Sequence, residues 1–241
     1  MTIGGVLREG FAIYRRLSGR SILVAGVIFV FVSFGTAAAA TSGSPAAFVV
    51  SFVLSWVGGL LVQGSLVEVV RDLHESRQVA PVRTYYERTR GRLGTLLGAS
   101  IMYGLGVLIG FVLLIVPGLI AIARWSLVVP LVMIERLGWR DAFRRSAELV
   151  KGQTGRVLVL LIVTNVLTGL AEVLLRSLFG GSANFWTLWV GGTVAGALVV
   201  PLEAHVLTAL YYHLTEPERP VLPEAGAPVK AWDSIWDEER E

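Results

Sequence analysis

Residues 124–156 read RWSLVVPLVMIERLGWRDAFRRSAELVKGQTGR, and this stretch decides the fold. It begins with an apolar segment that carries one arginine, Arg124, and runs as far as Glu135. A short basic segment follows, and the chain becomes apolar again at Val157. This pattern predicts two membrane-spanning helices joined by a basic segment at one membrane surface.

The composition of the whole chain fits the same environment. Of 241 residues, 54% are hydrophobic and only 16% are charged, whereas a soluble domain needs more charge to cover its surface. Because backbone groups in lipid must be satisfied internally, continuous apolar runs predict helices. The absence of cysteine excludes a disulfide framework, a cysteine nucleophile and thiolate metal ligands.

Six apolar runs approach the length of about 20 residues that crosses a bilayer. The predicted spans are residues 21–41, 46–67, 93–116, 119–134, 157–178 and 187–212. Pro117-Gly118 predicts a tight turn between the third and fourth spans, since proline stops a helix and glycine permits reversal. Residues 37–43 resemble a signal-peptidase site, but the first run is longer than a signal core of about 7–15 residues, which favours a retained span.

The sequence therefore predicts an all-α, polytopic membrane helix bundle of six transmembrane helices over residues 1–215. An acidic, proline-rich tail follows at 216–241. Lysine and arginine are concentrated in residues 1–20, 68–92 and 135–156, whereas only Arg176 lies near a loop on the other side. The positive-inside rule then places both termini in the cytoplasm and the protein in the cytoplasmic membrane.

The three basic segments resemble one another. They read VLREGFAIYRRLSGR (6–20), QVAPVRTYYERTRGR (78–92) and AFRRSAELVKGQTGR (142–156), and each ends in Gly-Arg before a span. This predicts three pseudo-repeats, 1–67, 68–134 and 135–215, each with an amphipathic interfacial helix that ends at the glycine, followed by a hairpin of two spans. Lipid-facing sequences also converge, so duplication and convergence both remain open.

The basic residues of these segments are candidates for contact with anionic lipid headgroups. A specific lipid site is one interpretation, and general attraction to an anionic leaflet, worth about 1 kcal/mol per basic residue, is the simpler one. The candidates are Arg15, Arg16, Arg20, Arg88, Arg90, Arg92, Arg140, Arg144, Arg145, Lys151 and Arg156.

Four ionisable residues inside predicted spans are candidates for a functional site, since a charge there usually faces a partner or a water-filled cavity: Arg124, Glu172, Glu203 and His205. Arg124 and Glu172 fall at similar depth, and Glu203 lies nearer the midplane but within reach of a long arginine. A structural role, either an ion pair that fixes the bundle or snorkelling to the interface, is favoured over a substrate or proton site. Glu203 and His205 should face different sides of a regular helix, and they could form a proton relay only if Pro201 distorts it. Glu172 and Arg176 have the spacing of an i,i+4 pair.

Three Gly-x-x-x-Gly spacings inside spans predict close helix packing, either within the chain or between copies. They are Gly94–Gly98, Gly106–Gly110 and Gly192–Gly196. The sequence contains no H-E-x-x-H, Walker or G-x-S-x-G motif, and it predicts no metal and no cofactor. Because the basic segments are short and adjoin spans, lipid is a more plausible partner than nucleic acid.

The run IVPGLIAIARWSLVVPLVMIERLGWRDAFRRSAELVKG (115–152) resembles the membrane domain attached to some bacterial glycerophosphoryl diester phosphodiesterases. The matching positions are Val116-Pro117-Gly118, Arg124, Pro130, Glu135, Gly138, residues 142–146, Leu149 and Gly152, with a further match at TALYYHL (208–214). The soluble catalytic barrel of that family has no room in this chain. The resemblance therefore implies a polytopic membrane module and not phosphodiesterase activity.

The leading hypothesis is a non-catalytic membrane module that organises anionic lipid, a partner membrane protein or a second copy of itself. The alternative is a transporter or flippase-like carrier of a lipid-related substrate, with Arg124, Glu172 and Glu203 in the bundle. A membrane enzyme is the third hypothesis. A cavity joining Arg124 to Glu203 would favour the carrier.

Overall fold

The computed structural model describes residues 2–75, 77–78, 80–179 and 184–216, so most of the predicted acidic tail lies outside it. These residues form nine α-helices: α1 (Ile3–Ser42), α2 (Pro45–His74), α3 (Val82–Arg90), α4 (Leu93–Leu113), α5 (Ile115–Arg124), α6 (Val128–Ile134), α7 (Trp139–Leu149), α8 (Thr154–Ser177) and α9 (Phe185–Thr215). Six segments are long and apolar enough to cross a membrane, with α5 and α6 together forming one of them. The predicted all-α, six-span bundle is confirmed.

The six spans form three antiparallel hairpins: α1 with α2, α4 with α5–α6, and α8 with α9. The start of α1 and the end of α9 lie at the same end of the bundle, where Glu9 pairs with His213 at 2.6 Å. This end, which also carries α3 and α7, is called the basic end. The opposite end, where rings of Phe34, Phe185, Trp186 and Trp189 pack together, is called the aromatic end.

The predicted turn at Pro117-Gly118 is wrong. The chain reverses at Leu114, whose backbone is extended (φ −168°, ψ 157°), and Pro117 lies in the first turn of α5, where its missing N–H has no intrahelical partner to lose. Gly118 serves close packing instead. A Cβ on Gly110 would lie 2.8 Å from the Gly118 Cα, so the two glycines let α4 and α5 approach backbone to backbone.

The prediction that glycine ends each interfacial helix holds only for the second segment, where Gly91 caps α3. In the first segment Gly19 lies inside the continuous helix α1. In the third segment the left-handed residue between α7 and α8 is Gly152 (φ 83°), and Gly155 lies inside α8. The three basic segments therefore differ in local structure at the shared Gly-Arg.

The first part of α1 nevertheless changes direction relative to α9. Gly10 packs against Val206, and Gly26 packs against Ala197. Along α1 the two contacts are 16 residues apart, a rise of about 24 Å. Along α9 they are only nine residues apart, a rise of about 13.5 Å. The N-terminal part of α1 therefore crosses α9 at an angle and does not continue along it.

The fourth predicted span is broken between α5 and α6. Pro130 contributes to the break because it has no N–H to donate to the carbonyl of Ser126. Ser146 of α7 supplies partners at the break: its Oγ donates to the Arg124 carbonyl at 2.6 Å and accepts from the Leu127 N–H at 3.3 Å. Helix α7 is therefore fixed to the bundle through the backbone of the broken span.

Two of the three Gly-x-x-x-Gly spacings make close contacts. A Cβ on Gly106 would clash with the Trp125 ring, and one on Gly196 would clash with the Phe29 ring. In the remaining spacing, a Cβ on Gly94 would meet nothing within 4 Å. The contacts that form lie within one chain, so these glycines pack α4 against α5 and the following break, and α9 against α1.

Candidate functional site

The expected partners of Arg124 are not beside it. Arg124 is exposed at the end of α5, and among the described residues it forms no ion pair with Glu172 or Glu203. Glu172 is bound instead by Arg176, which donates from Nε at 3.0 Å and from Nη2 at 2.6 Å. The predicted i,i+4 pair is confirmed, and the longer-range pair with Arg124 does not form.

Glu203 and His205 face opposite sides of α9, as their spacing predicts. His205 is fully buried against α1, where its Nε2 lies 2.9 Å from the Oγ of Ser21. Glu203 lines a cavity on the other side of the helix. Pro201 lies within α9 without interrupting it, so the two side chains cannot form one relay site.

The cavity beside Glu203 is bounded by α2, α4, α5, α6, α8 and α9 and has a volume of about 510 Å³. Its walls are mostly leucine, isoleucine and valine. The polar lining residues are Gln63, Ser100, Tyr103, Ser126, Asn165 and Glu203. Arg124 and Glu172 do not line it. The cavity therefore reaches Glu203 but does not join it to Arg124, as the carrier hypothesis required.

A second polar centre lies at the basic end and was missed by sequence reasoning. Glu68 and Asp72 of α2 are each only 1% exposed. Arg88 of α3 reaches Asp72 at 3.1 Å and Glu68 at 3.4 Å, and Arg136, which precedes α7, reaches Glu68 at 3.5 Å. These ion pairs join α2, α3 and the α6–α7 connection.

The cluster was not predicted because α2 is longer than the predicted second span. The polar composition of residues 68–92 indicated a connection outside the membrane, whereas α2 continues into the first part of this segment and ends at His74. Glu68 and Asp72 are four residues apart and so share a face that turns toward α3. Two carboxylates at helical spacing directly after an apolar span, followed by Arg88, are the signal that could have located the cluster.

Helix α3 is held against α2 by close packing as well as by charge. Thr89 hydrogen bonds to Ser65 at 3.1 Å, and a Cβ on Gly64 would lie 2.6 Å from the Thr89 Cγ2. Tyr85 is fully buried and accepts from the Ala80 N–H at 3.1 Å. Burial, with the nearby Asp72 carboxylate, raises the pKa of Tyr85 to about 12.

A third set of contacts fastens the end of α9 to the same region. The hydroxyl of Tyr211 donates to Glu135 at 3.1 Å, and Arg145 of α7 lies 3.7 Å from the same carboxylate. The rings of His74 and Tyr212 stack with their centroids 3.9 Å apart. The basic end is therefore a connected network of charged and aromatic side chains.

The predicted lipid-contact residues fall into two groups. In the first group the side chain is already engaged: Arg88 with Asp72, Arg144 with Asp141, Arg145 with Glu135, Arg92 with the Arg136 carbonyl, and Arg20 near the Tyr85 phenol. The second group has no carboxylate partner among the described residues: Arg15, Arg16, Arg90, Arg140, Lys151 and Arg156. Five of these six are exposed, and Arg16 is half-buried.

Over the described ranges, no three histidine, aspartate or glutamate side chains come together in a way that could hold a metal ion. No family model matches the chain, and neither a curated protein nor a solved structure matches it. The resemblance to the phosphodiesterase-associated membrane domain therefore stays a prediction, and the site is interpreted from its own geometry.

Proposed function

We propose that this protein is a non-catalytic module of the cytoplasmic membrane that binds anionic lipid headgroups at its basic end. The observation that carries the proposal is the division of the cations there. Arg88 and Arg136 are matched by buried carboxylates, whereas Arg140, Lys151 and Arg156 are exposed without one. Unmatched cations beside membrane spans are attracted to anionic lipid by about 1 kcal/mol each.

The fixed position of Arg140 on α7 supports a role in organising lipid. Ser146 fixes α7 to the broken span, and Ala142 on the same face is fully buried. The opposite face then presents Arg140, whose guanidinium lies 4.8 Å from the centroid of the Trp139 ring. The concentration of basic residues at this end also favours a cytoplasmic location for both termini.

The test compares two triple variants with the same change in net charge. Arg140→Gln/Lys151→Gln/Arg156→Gln removes unmatched cations, whereas Arg77→Gln/Arg83→Gln/Arg144→Gln removes exposed arginines that each pair with a carboxylate. In nanodiscs of mixed phosphatidylglycerol and phosphatidylcholine, native mass spectrometry should show several-fold lower retention of phosphatidylglycerol for the first variant only. Equal losses would show that only net charge matters and would contradict the assignment of these residues.

A carrier of a lipid-related substrate is the second candidate, because the cavity beside Glu203 lies among the spans. Reconstitution into vesicles that contain a fluorescent short-chain phospholipid tests this function. Transfer of the lipid between leaflets that is faster than in protein-free vesicles, and slower again for Glu203→Gln, would support a carrier. A rate equal to that of protein-free vesicles would exclude it for that lipid.

A further inference from the structure

The cavity beside Glu203 lies among the spans, with Glu203 itself on the side of the basic end. The aromatic end marks the other boundary, since Phe185 begins α9 there and Trp189 donates to the Val30 carbonyl at 2.9 Å. Glu203 is 18 residues further along α9, a distance of about 27 Å by helical rise, against a hydrocarbon core of about 30 Å. Glu203 therefore lies toward the basic end, while Tyr103 and Asn165, near the middle of α4 and α8, extend the cavity toward the middle of the spans.

The polar lining offers both donors and acceptors: Gln63 and Tyr103 carry N–H and O–H groups, whereas three other side chains chiefly offer oxygen atoms. The hydroxyls of Ser100 and Ser126 donate to carbonyls of their own helical segments at 3.2 and 2.9 Å, and the Asn165 amide nitrogen does the same at 2.9 Å. Their oxygen atoms remain able to accept, and so does the Ser126 carbonyl that Pro130 leaves without a helical donor. A ligand that satisfies these groups must donate hydrogen bonds.

Glu203 adds a negative charge to this set. Among the described residues it forms no hydrogen bond and no ion pair. An ionised carboxylate between apolar walls is unfavourable unless a cation or several donors face it. The rings of Tyr103 and Trp125, which line the same cavity with centroids 6.5 Å apart, can also attract a cation. An anionic head would instead meet a like charge.

We infer that this cavity binds an amphipathic molecule with a protonated amine head. The ammonium group would lie against Glu203 and donate to the oxygens of Ser100, Ser126 and Asn165, with the apolar body against the leucine and isoleucine walls. The volume of about 510 Å³ falls within the range of about 300–1,000 Å³ that is typical of ligand pockets. The amine can come from a free lipophilic amine or from the ethanolamine headgroup of a phospholipid.

The site is separate from the unmatched cations of the proposed function, none of which lines the cavity. Failure of one assignment would therefore leave the other standing. The two are also tested with different probes, anionic phospholipid for the basic end and an alkylamine for the cavity.

The probe is an alkylamine with a diazirine in its chain, applied to the full-length protein in detergent. Labelled peptides should contain cavity-lining residues, and unlabelled dodecylamine should compete, whereas dodecanol and dodecyl sulfate should compete at least tenfold more weakly. Glu203→Gln should reduce the labelling at least tenfold. Glu172→Gln is the matched control, because this carboxylate also lies in a span but pairs with Arg176 outside the cavity.

A second variant distinguishes a loss of binding from misfolding of the Glu203→Gln protein. Ser100→Leu narrows the cavity with an apolar side chain and leaves the carboxylate intact, so it should also reduce labelling while the elution profile and melting temperature stay native. Enrichment of phosphatidylethanolamine in the native protein, lost in both variants, would identify the lipid as the source. Labelling that persists in Glu203→Gln, or that falls outside the cavity, would overturn the inference.

Discussion

At the scale of single residues, the clearest feature is that Glu68 and Asp72 are buried with arginine partners. Removing water from a carboxylate is expensive, and the attraction of Arg88 and Arg136 offsets that cost only while the pairs remain intact. Arg136 holds its position with a left-handed backbone (φ 58°), a conformation that favours glycine, while its side chain reaches Glu68.

We expect Arg88→Gln to destabilise the protein because it leaves Asp72 buried without its cation. Breaking a buried pair costs about 3–5 kcal/mol, and the 30% exposure of the Arg88 side chain should reduce this to about 1–3 kcal/mol. The melting temperature in detergent reports the change. Arg83→Gln on the same helix breaks only an exposed pair and should have almost no effect, and a similar loss in both variants would contradict the burial argument.

Ionisation of Tyr85 should lower the stability of the folded protein at alkaline pH. Its folded-state pKa is about 12, above the ordinary value near 10, so the folded protein holds the phenol proton more tightly than the unfolded chain does. The stabilisation is complete below pH 10 and is lost as the pH rises toward 12.

We therefore predict that Tyr85→Phe flattens the fall in melting temperature between pH 10 and 12. Absorbance at 295 nm should also show one late-titrating tyrosine fewer. If the pH profiles of the two proteins are the same, Tyr85 is not the group responsible.

At the scale of elements, helix ends and contacts depend on residues whose role is tertiary. Hydropathy predicts the number and order of the spans because each must be apolar over the bilayer thickness. It does not predict that α2 continues to His74, since the carboxylates that look like a loop are covered by α3. The turn at Leu114 was missed because Pro117 is equally suited to the first turn of a helix.

The α4–α5 hairpin gives the sharpest element-scale prediction. A methyl group on Gly110 would meet the Gly118 backbone at 2.8–2.9 Å, so Gly110→Ala must push the two helices apart and should cost about 1–3 kcal/mol. Gly104 on the same helix has nothing within 4 Å, and Gly104→Ala should be neutral or slightly stabilising. Thermal unfolding in detergent separates the two, and equal effects would rule out close packing as the cause.

At the scale of the whole molecule, the bundle combines a fixed basic end with a cavity among the spans. The sequence shows Glu203 as an intramembrane carboxylate and places the cations at one end. It does not show which helix faces meet, so it paired Glu203 with Arg124, which lies outside the cavity. It also does not show which cations are matched by a carboxylate, because the pairing of Arg88 depends on the burial of Asp72 by α3.

Contact between anionic headgroups and the unmatched cations of the basic end can be tested directly. The most direct measurement is photocrosslinking of phosphatidylglycerol with a photoreactive headgroup in nanodiscs, followed by peptide mapping. We predict that the label falls on peptides that contain Arg90, Arg140, Lys151 or Arg156, and that it is reduced in the variant that lacks the last three. Labelling that is equally strong at the aromatic end, or unchanged in that variant, would contradict the account.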